Sequence, residues 1–301
     1  MEDLFKGINA IEFGRKFRNQ DDCYHYLYSI KWKNGYQCKL CGCAEAIKGK
    51  TSFHRRCKDC RYDESVTCNT LFHGIRMSIL KAFHLLFRTI TKKSGMSSVE
   101  LSTEVGVQQK TAWRFKLKVK NAMVQESQKK LQGDVQVDET LVGGYSQGNV
   151  GRSLGEKSAV LVAVEDIGDG KTGNIRMETI ESFKADILKV GIDNTVEEGS
   201  KIKTDNHKSY NKLKTEGMDI ETGNSDLGNL LPQLHKQIMC FKNWLRGTHF
   251  SCSEKYLQTY IDEYVFRFNR RNSRNTIFNS IIFKFMNAVP RTYHNLITKC
   301  A

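Results

Sequence analysis

Proline is nearly missing, with two in 301 residues, and no low-complexity tract accompanies it. Collagen-like, mucin-like and polyproline architectures are excluded on that ground. No run of about 18 apolar residues occurs, so no membrane-spanning helix is expected. The first seventeen residues are charged and lack an apolar signal core, so no secretory signal is expected either. Without an export signal, the ten cysteines point to reduced thiols or metal ligands in a cytoplasmic protein rather than to disulfides. Disorder is excluded by what the chain does contain. Hydrophobic residues make up 39% and aromatics 10%, including 16 Phe and 11 Tyr, enough to build cores. The length is about twice that of a usual domain, which predicts two or three folded units.

The formal net charge is +14, and it is unevenly placed. Lys and Arg outnumber Asp and Glu by 25 to 12 in residues 1–132, but only by 22 to 21 in 133–301. A positive field confined to the first half predicts polyanion binding there and a different task for the second half.

Hydrophobic spacing divides the chain further. Residues 1–31 predict short helices, with Phe13, Phe17, Tyr24, Leu27 and Tyr28 at helical spacing. Residues 32–70 lose that period and hold six of the ten cysteines. Residues 77–130 predict helices again, with an apolar stripe of Ile79, Phe83, Leu86, Phe87 and Ile90. Ser97 and Glu100 have capping-box spacing at the start of a helix over 98–105. From 133 the pattern turns to strands over 134–141, 158–165, 174–179 and 201–204, with a helix near 182–190. Gly168-Asp169-Gly170 predicts a hairpin turn, and the chain beyond Leu234 predicts helices.

Cys38-x-x-Cys41 and Cys57-x-x-Cys60 form two knuckles that supply four thiolates to one tetrahedral Zn²⁺. With every coordination position filled by sulfur, the zinc is structural, and the segment is expected to be a zinc ribbon. Cys43 does not complete another knuckle, and the remaining cysteines are expected to be core or inert thiols. The helix over 98–105, the break at Gly106-Val107 and a third helix from Gln108 have helix-turn-helix proportions. Lys110, Arg114 and Lys118 recur every four residues on that third helix, a basic face suited to DNA phosphates. A solvated helix in a bundle fits the same pattern. Two predicted strands deliver acids, the first Asp138 and Glu139 and the fourth Asp205 at its end. Paired aspartates at neighbouring strand ends are how an RNase H-like sheet holds two Mg²⁺ ions, although strand-terminal aspartates are also common without that role. The stretch 145–157, with Arg152 and Lys157, is expected to be a loop able to meet phosphate.

Taken in order, these pieces resemble the ISXO-like insertion-sequence transposases. The resemblance runs over roughly residues 10–285. It is carried by both cysteine knuckles, Lys110-Thr111-Ala112-Trp113 and Val137-Asp138-Glu139-Thr140 with Val142-Gly143-Gly144. Thr204-Asp205, Lys242 before Leu245-x-Gly247, and Phe266-Arg267-Phe268-Asn269-Arg270-Arg271 complete it. It implies an α+β multidomain chain in which a zinc ribbon and helix-turn-helix precede an RNase H-like α/β catalytic domain of the DDE type. The corresponding bounds are 1–31 for N-terminal helices, 32–70 for the ribbon, 77–130 for the helix-turn-helix region and 133–290 for the DDE domain. It further implies binding of double-stranded DNA, both element ends and target, by a homo-oligomer, with metal-dependent cleavage and strand transfer. Asp138 and Asp205 match the two catalytic aspartates, which would hold Mg²⁺ or Mn²⁺, and Lys242 matches a phosphate-holding lysine. The third acid belongs seven residues before Lys242, two helical turns away, and there the chain has His235. Glu254, Asp262 and Glu263 are the alternative third ligands. Two other functions fit part of the pattern: a decayed or domesticated DNA-binding protein, and a standalone RNase H-like nuclease, which would not need two DNA-binding modules ahead of its sheet.

Overall fold

The computed structural model describes residues 4–127, 129–143, 157–215, 218–223, 230–249 and 252–290, without the side chains of 125–127. Of the loop expected at 145–157, only Lys157 is among them. Two units separate: the described parts of Met1–Ala122 with Ser273–Lys299, and those of Met123–Asn272. No helix among the described residues is long and apolar enough to cross a membrane.

The first unit contains α1 (Ala10–Lys16), α2 (Gln20–Lys31), α3 (Ile79–Thr91), α4 (Ser98–Val105) and the start of α5 (Gln109–Ser127). Asn19 and Asp22 close a reciprocal capping box that starts α2. At α4 only half of the expected box forms. The Ser97 hydroxyl accepts from the Glu100 amide at 3.1 Å, while the Glu100 carboxylate pairs with Lys92. Gly106, at φ 67°, ends α4 in the left-handed conformation.

Aromatics build the core of this unit. Phe13 and Phe87 stack with centroids 4.1 Å apart, and Phe5, Phe17, Phe83 and Phe278 pack around them. Phe278 comes from α10 (Ile277–Asn287), whose Ile277, Phe278, Ile281, Ile282 and Phe285 are all buried. Asn279 anchors the same helix, accepting from the Tyr26 hydroxyl and donating to the Phe5 carbonyl at 2.6 Å. The expected domain over 133–290 is therefore corrected at its end: the sheet unit stops at Asn272, and α10 returns to the N-terminal helices. An apolar helix needs an apolar partner, and the aromatic stripe of α1 and α3 supplies it. Phe278→Ala should lower the stability of this unit by about 3–5 kcal/mol. Chemical denaturation of the full chain should show its transition moving to lower denaturant while that of the sheet unit stays in place.

The ribbon also lies in this unit, as a three-stranded antiparallel sheet of β1 (Ala46–Lys48), β2 (His54–Cys57) and β3 (Asp63–Ser65). Strands this short bury little apolar surface. Polar anchors dock them on α2 instead. Lys31 Nζ lies 2.8 Å from Glu64 Oε1, both nearly buried, and donates to the Ser65 and Cys68 carbonyls. Arg55 donates to the Tyr28 hydroxyl at 2.9 Å and sits over the Tyr28 and Trp32 rings.

The second unit is a five-stranded mixed sheet covered on both faces. Its strands are β4 (Asp134–Val142), β5 (Ser158–Asp166), β6 (Thr172–Ile180), β7 (Lys201–Asp205) and β8 (Ile220–Gly223), in the order β6-β5-β4-β7-β8. β4, β5 and β6 run antiparallel in succession, whereas β7 is parallel to β4 and β8 to β7. Gly168, Asp169 and Gly170 all take positive φ in the β5–β6 hairpin, as the turn residues predict. Val160, Val162 and Val164 of β5 face α8 (Pro232–His249) and α9 (Glu254–Asn269). Leu161 and Ala163 face the opposite layer, α6 (Ala185–Thr195) and α7 (Lys208–Thr215). Burial on both sides explains why β5 is apolar without a break from Ala159 to Val164 instead of alternating. The sequence expectation lacked α7 and β8, one strongly polar and the other four residues long.

The Phe-Arg-Phe-Asn-Arg-Arg segment has a structural role here. Asn269 accepts from the Ile175 amide and donates to its carbonyl, and Gln258 does the same for the Thr179 amide and Met177 carbonyl. Arg271 donates to the carbonyls of Thr172 and Gly173. Side chains of α9, and Arg271 just beyond it, thus satisfy open backbone groups of edge strand β6, which would otherwise be free to pair with another chain. Arg267 is spent on buried Glu263 at 2.7 Å, and Arg270 sits over Phe266.

Candidate active site and metal site

In the ribbon, the two knuckles fold alike because each needs a left-handed residue after its second cysteine. Gly42 (φ 77°) and Arg61 (φ 62°) supply it. The four sulfurs of Cys38, Cys41, Cys57 and Cys60 lie within 4.8 Å of one another, with Cys38–Cys60 at 3.5 Å and Cys41–Cys57 at 3.4 Å. A disulfide would need about 2.05 Å. A tetrahedral ion with Zn–S bonds of about 2.3 Å sets sulfurs about 3.8 Å apart. This all-thiolate donor set fits a structural Zn²⁺. Cys43 stands outside the cluster, its sulfur 3.4 Å from the Glu45 amide.

In the sheet unit, the register between β4 and β7 aligns the two acids. Val135 pairs with Ile202 and Gln136 with Lys203, so two residues further along each strand come Asp138 and Asp205. Val135 and Ile202 both enter the core beneath α6 and α7. Alternation along each strand then sends Asp138 and Asp205 to the opposite face, the side of α8. Asp138 Oδ1 accepts from the Glu139 amide at 2.7 Å, and Asp205 Oδ1 from the His207 amide at 3.2 Å.

Glu139 points the other way. Its carboxylate accepts from the Tyr210 hydroxyl of α7 at 2.5 Å. Burial first, then the Glu139 carboxylate, hold the Tyr210 hydroxyl well above its ordinary pKa, and the fields of Asp138 and Asp205 add to this.

On the opposite face, α8 brings His235 beside Asp138. His235 Nε2 stands 3.6 Å from Asp138 Oδ2, with the aspartate side chain 16% exposed. Gln136, buried two residues before Asp138, fixes this helix to the sheet. Its carbonyl accepts from the Leu234 amide at 3.1 Å, and its amide donates to Gln233 and Asp166, both at 2.8 Å. Nothing in the spacing of the sequence marks this residue, because its partner lies about a hundred positions away. Lys242, two turns beyond His235, is half-buried, and its pKa is lowered first by burial, then by Arg246 and Lys157. Three cations thus gather near the end of β4, where Ser158 pairs with Val142. Among the described residues, the four cysteines are the group whose ligand atoms all close within 4.8 Å; Asp138, Asp205 and His235 do not reach that spacing together. The alternative third ligands have partners of their own or stand exposed. Glu263 is committed to Arg267, Asp262 accepts from Gln258, and Glu254 is exposed at the start of α9.

The expected basic face of α5 is shorter than its spacing implied. Lys110 and Arg114 are exposed, but Lys118 is half-buried and donates to the Leu71 carbonyl at 2.9 Å. Four residues turn a helix by about 400°, so eight displace a side chain by about 80° from the starting face. That drift carries Lys118 toward the core, where Lys116 and Lys120 are buried as well.

Residues 130–269 match the ISXO2-like transposase domain, and residues 18–63 match the transposase zinc-ribbon domain. The chain belongs to this transposase family. Together the two matched segments take in more than half of it, and their order is that of the two structural elements above. No individual curated protein matches the chain. Asp138, Asp205, His235 and Lys242 all fall inside the transposase-domain match, and all four zinc-ribbon cysteines inside the other. Helices α1, α4 and α10 lie in neither.

Proposed function

We propose that this transposase binds the duplex ends of a mobile DNA element and cuts and joins phosphodiesters at the paired acids Asp138 of β4 and Asp205 of β7. The observation that carries the proposal is the placement of Asp138 and Asp205 at one level, on one face of parallel neighbouring strands, with His235 Nε2 3.6 Å from Asp138. The strand order, with β4 antiparallel to β5 and parallel to β7, supports an RNase H-like description of the sheet. Divalent ions bound there, Mg²⁺ or Mn²⁺, would activate the attacking oxygen and stabilise the leaving one.

Asp138 and Asp205 supply hard carboxylate oxygens for such ions. The 3.6 Å from His235 Nε2 to Asp138 Oδ2 is within the span of about 4.2 Å that two ligands of one ion can share, taking about 2.1 Å for each. Lys242, with Arg246 and Lys157 nearby, would hold the phosphate being cut. Glu139 is left out of the ligand set by its bond to Tyr210 on the other face. DNA recognition is assigned to the helix-turn-helix of α4 and α5, with Lys110 and Arg114 on phosphates. Gln109, tied to Ser98 at 2.8 Å, holds the two helices together.

An imidazole offers one nitrogen and no charge, so Mg²⁺ should be held less well than Mn²⁺. Cleavage of end-containing duplex by the unaltered chain should therefore be faster with Mn²⁺ than with Mg²⁺, and His235→Glu should narrow or reverse that preference. An unchanged preference in His235→Glu would remove His235 from the ligand set.

A further inference from the structure

The first unit contains a cleft of about 830 Å³ walled by α1, α2, α10 and the segment before α1. Apart from α2, these elements lie outside both family matches. Phe5 and Phe283 contribute to an apolar floor, and four cations, Lys6, Arg15, Lys16 and Lys33, stand around it with Glu12 as the one acid among the described residues. Lys6, Arg15 and Lys33 are exposed, and none of the three makes an ion pair among the described residues. Elsewhere in the unit Lys31, Arg56, Arg88 and Lys92 each face a carboxylate. Cations are thus neutralised internally at several places in this unit, whereas Lys6, Arg15 and Lys33 face no carboxylate among the described residues. Gathering like charges costs free energy that a polyanion would return by releasing its own counterions.

We propose that the cleft holds the sugar–phosphate backbone of duplex DNA, as a contact separate from the α4–α5 helix pair. Phosphates would lie against Lys6, Arg15 and Lys33, and deoxyribose against the apolar floor. This rests on the DNA-binding role above and adds a second point of attachment that carries no base information. Such a contact would fix the register of the unit on its duplex while the helix pair reads the groove.

The test measures affinity of the full chain for a labelled end-containing duplex over a range of salt concentrations. The variants are Lys6→Gln/Arg15→Gln/Lys33→Gln, Glu12→Gln, and Lys110→Gln/Arg114→Gln as a reference. Loss of three phosphate contacts should make the slope of log K against log salt shallower by about 2.7, on this duplex and on one of unrelated sequence alike. Zinc content and far-UV circular dichroism should match the unaltered chain. Glu12→Gln removes a carboxylate from the cleft and should bind more tightly, a sign that misfolding cannot produce. A triple variant with the unaltered slope would overturn the cleft proposal while leaving the helix pair in place. Failure of the unaltered chain to bind either duplex would overturn the DNA-binding role itself, and the cleft with it.

Discussion

Cys57→Ser, or complete removal of zinc by a chelator, is expected to unfold the ribbon and to abolish specific DNA binding. The ribbon strands are three or four residues long, and the buried groups among them are Cys57 and Glu64, a metal ligand and a charge. Outside the strands the ribbon buries Tyr36 and Val66, which is little apolar surface with which to offset its chain entropy. Binding of structural Zn²⁺ contributes about 10–16 kcal/mol in comparable small sites, which is nearly all of the folding energy available. Unfolding would also strand Lys31 and Glu64, whose pairing joins β3 to α2. Zinc stoichiometry, circular dichroism and duplex affinity check this together. Undiminished affinity after complete chelation would show that the ribbon does not depend on its metal.

Asp138→Ala should abolish cleavage while leaving duplex affinity unchanged. A ligand that stabilises several kcal/mol of charge in the transition state corresponds to a rate loss of about a thousandfold or more. Asp205→Ala should behave alike, because the β4–β7 register gives the two acids equivalent positions. Glu139→Gln should be much milder, since that side chain faces Tyr210 and not the acids. Single-turnover cleavage of end-containing duplex separates the three. An Asp138→Ala protein that still cuts at the unaltered rate would place the chemistry elsewhere.

Much of this architecture was legible from local pattern. The cysteine spacing is short-range, and so are the apolar stripe of α3 and the unbroken apolar run of β5. Asp205 was recognisable as a strand end for the same reason, whereas Asp138, also expected at a strand end, lies in the middle of β4. Contacts across long sequence separations were not legible. Nothing near Phe278 reveals that it packs on Phe13, and nothing near Gln136 reveals that it caps α8 at Leu234. Lys118 failed for a different reason, because a four-residue period is not quite the helical period and the drift buries its ammonium. Arg271 is of the long-range kind too, since the β6 carbonyls that it meets lie about a hundred positions away.

The most direct test of the central claim is cleavage of a duplex bearing the terminal sequences that flank the gene, with Mn²⁺ or Mg²⁺ and the unaltered full chain. The account predicts metal-dependent cuts at the element boundary, faster with Mn²⁺ and absent in Asp138→Ala. Tight, zinc-dependent binding to the same duplex with no cleavage under either ion would contradict it, and would leave a DNA-binding protein whose catalytic role has been lost.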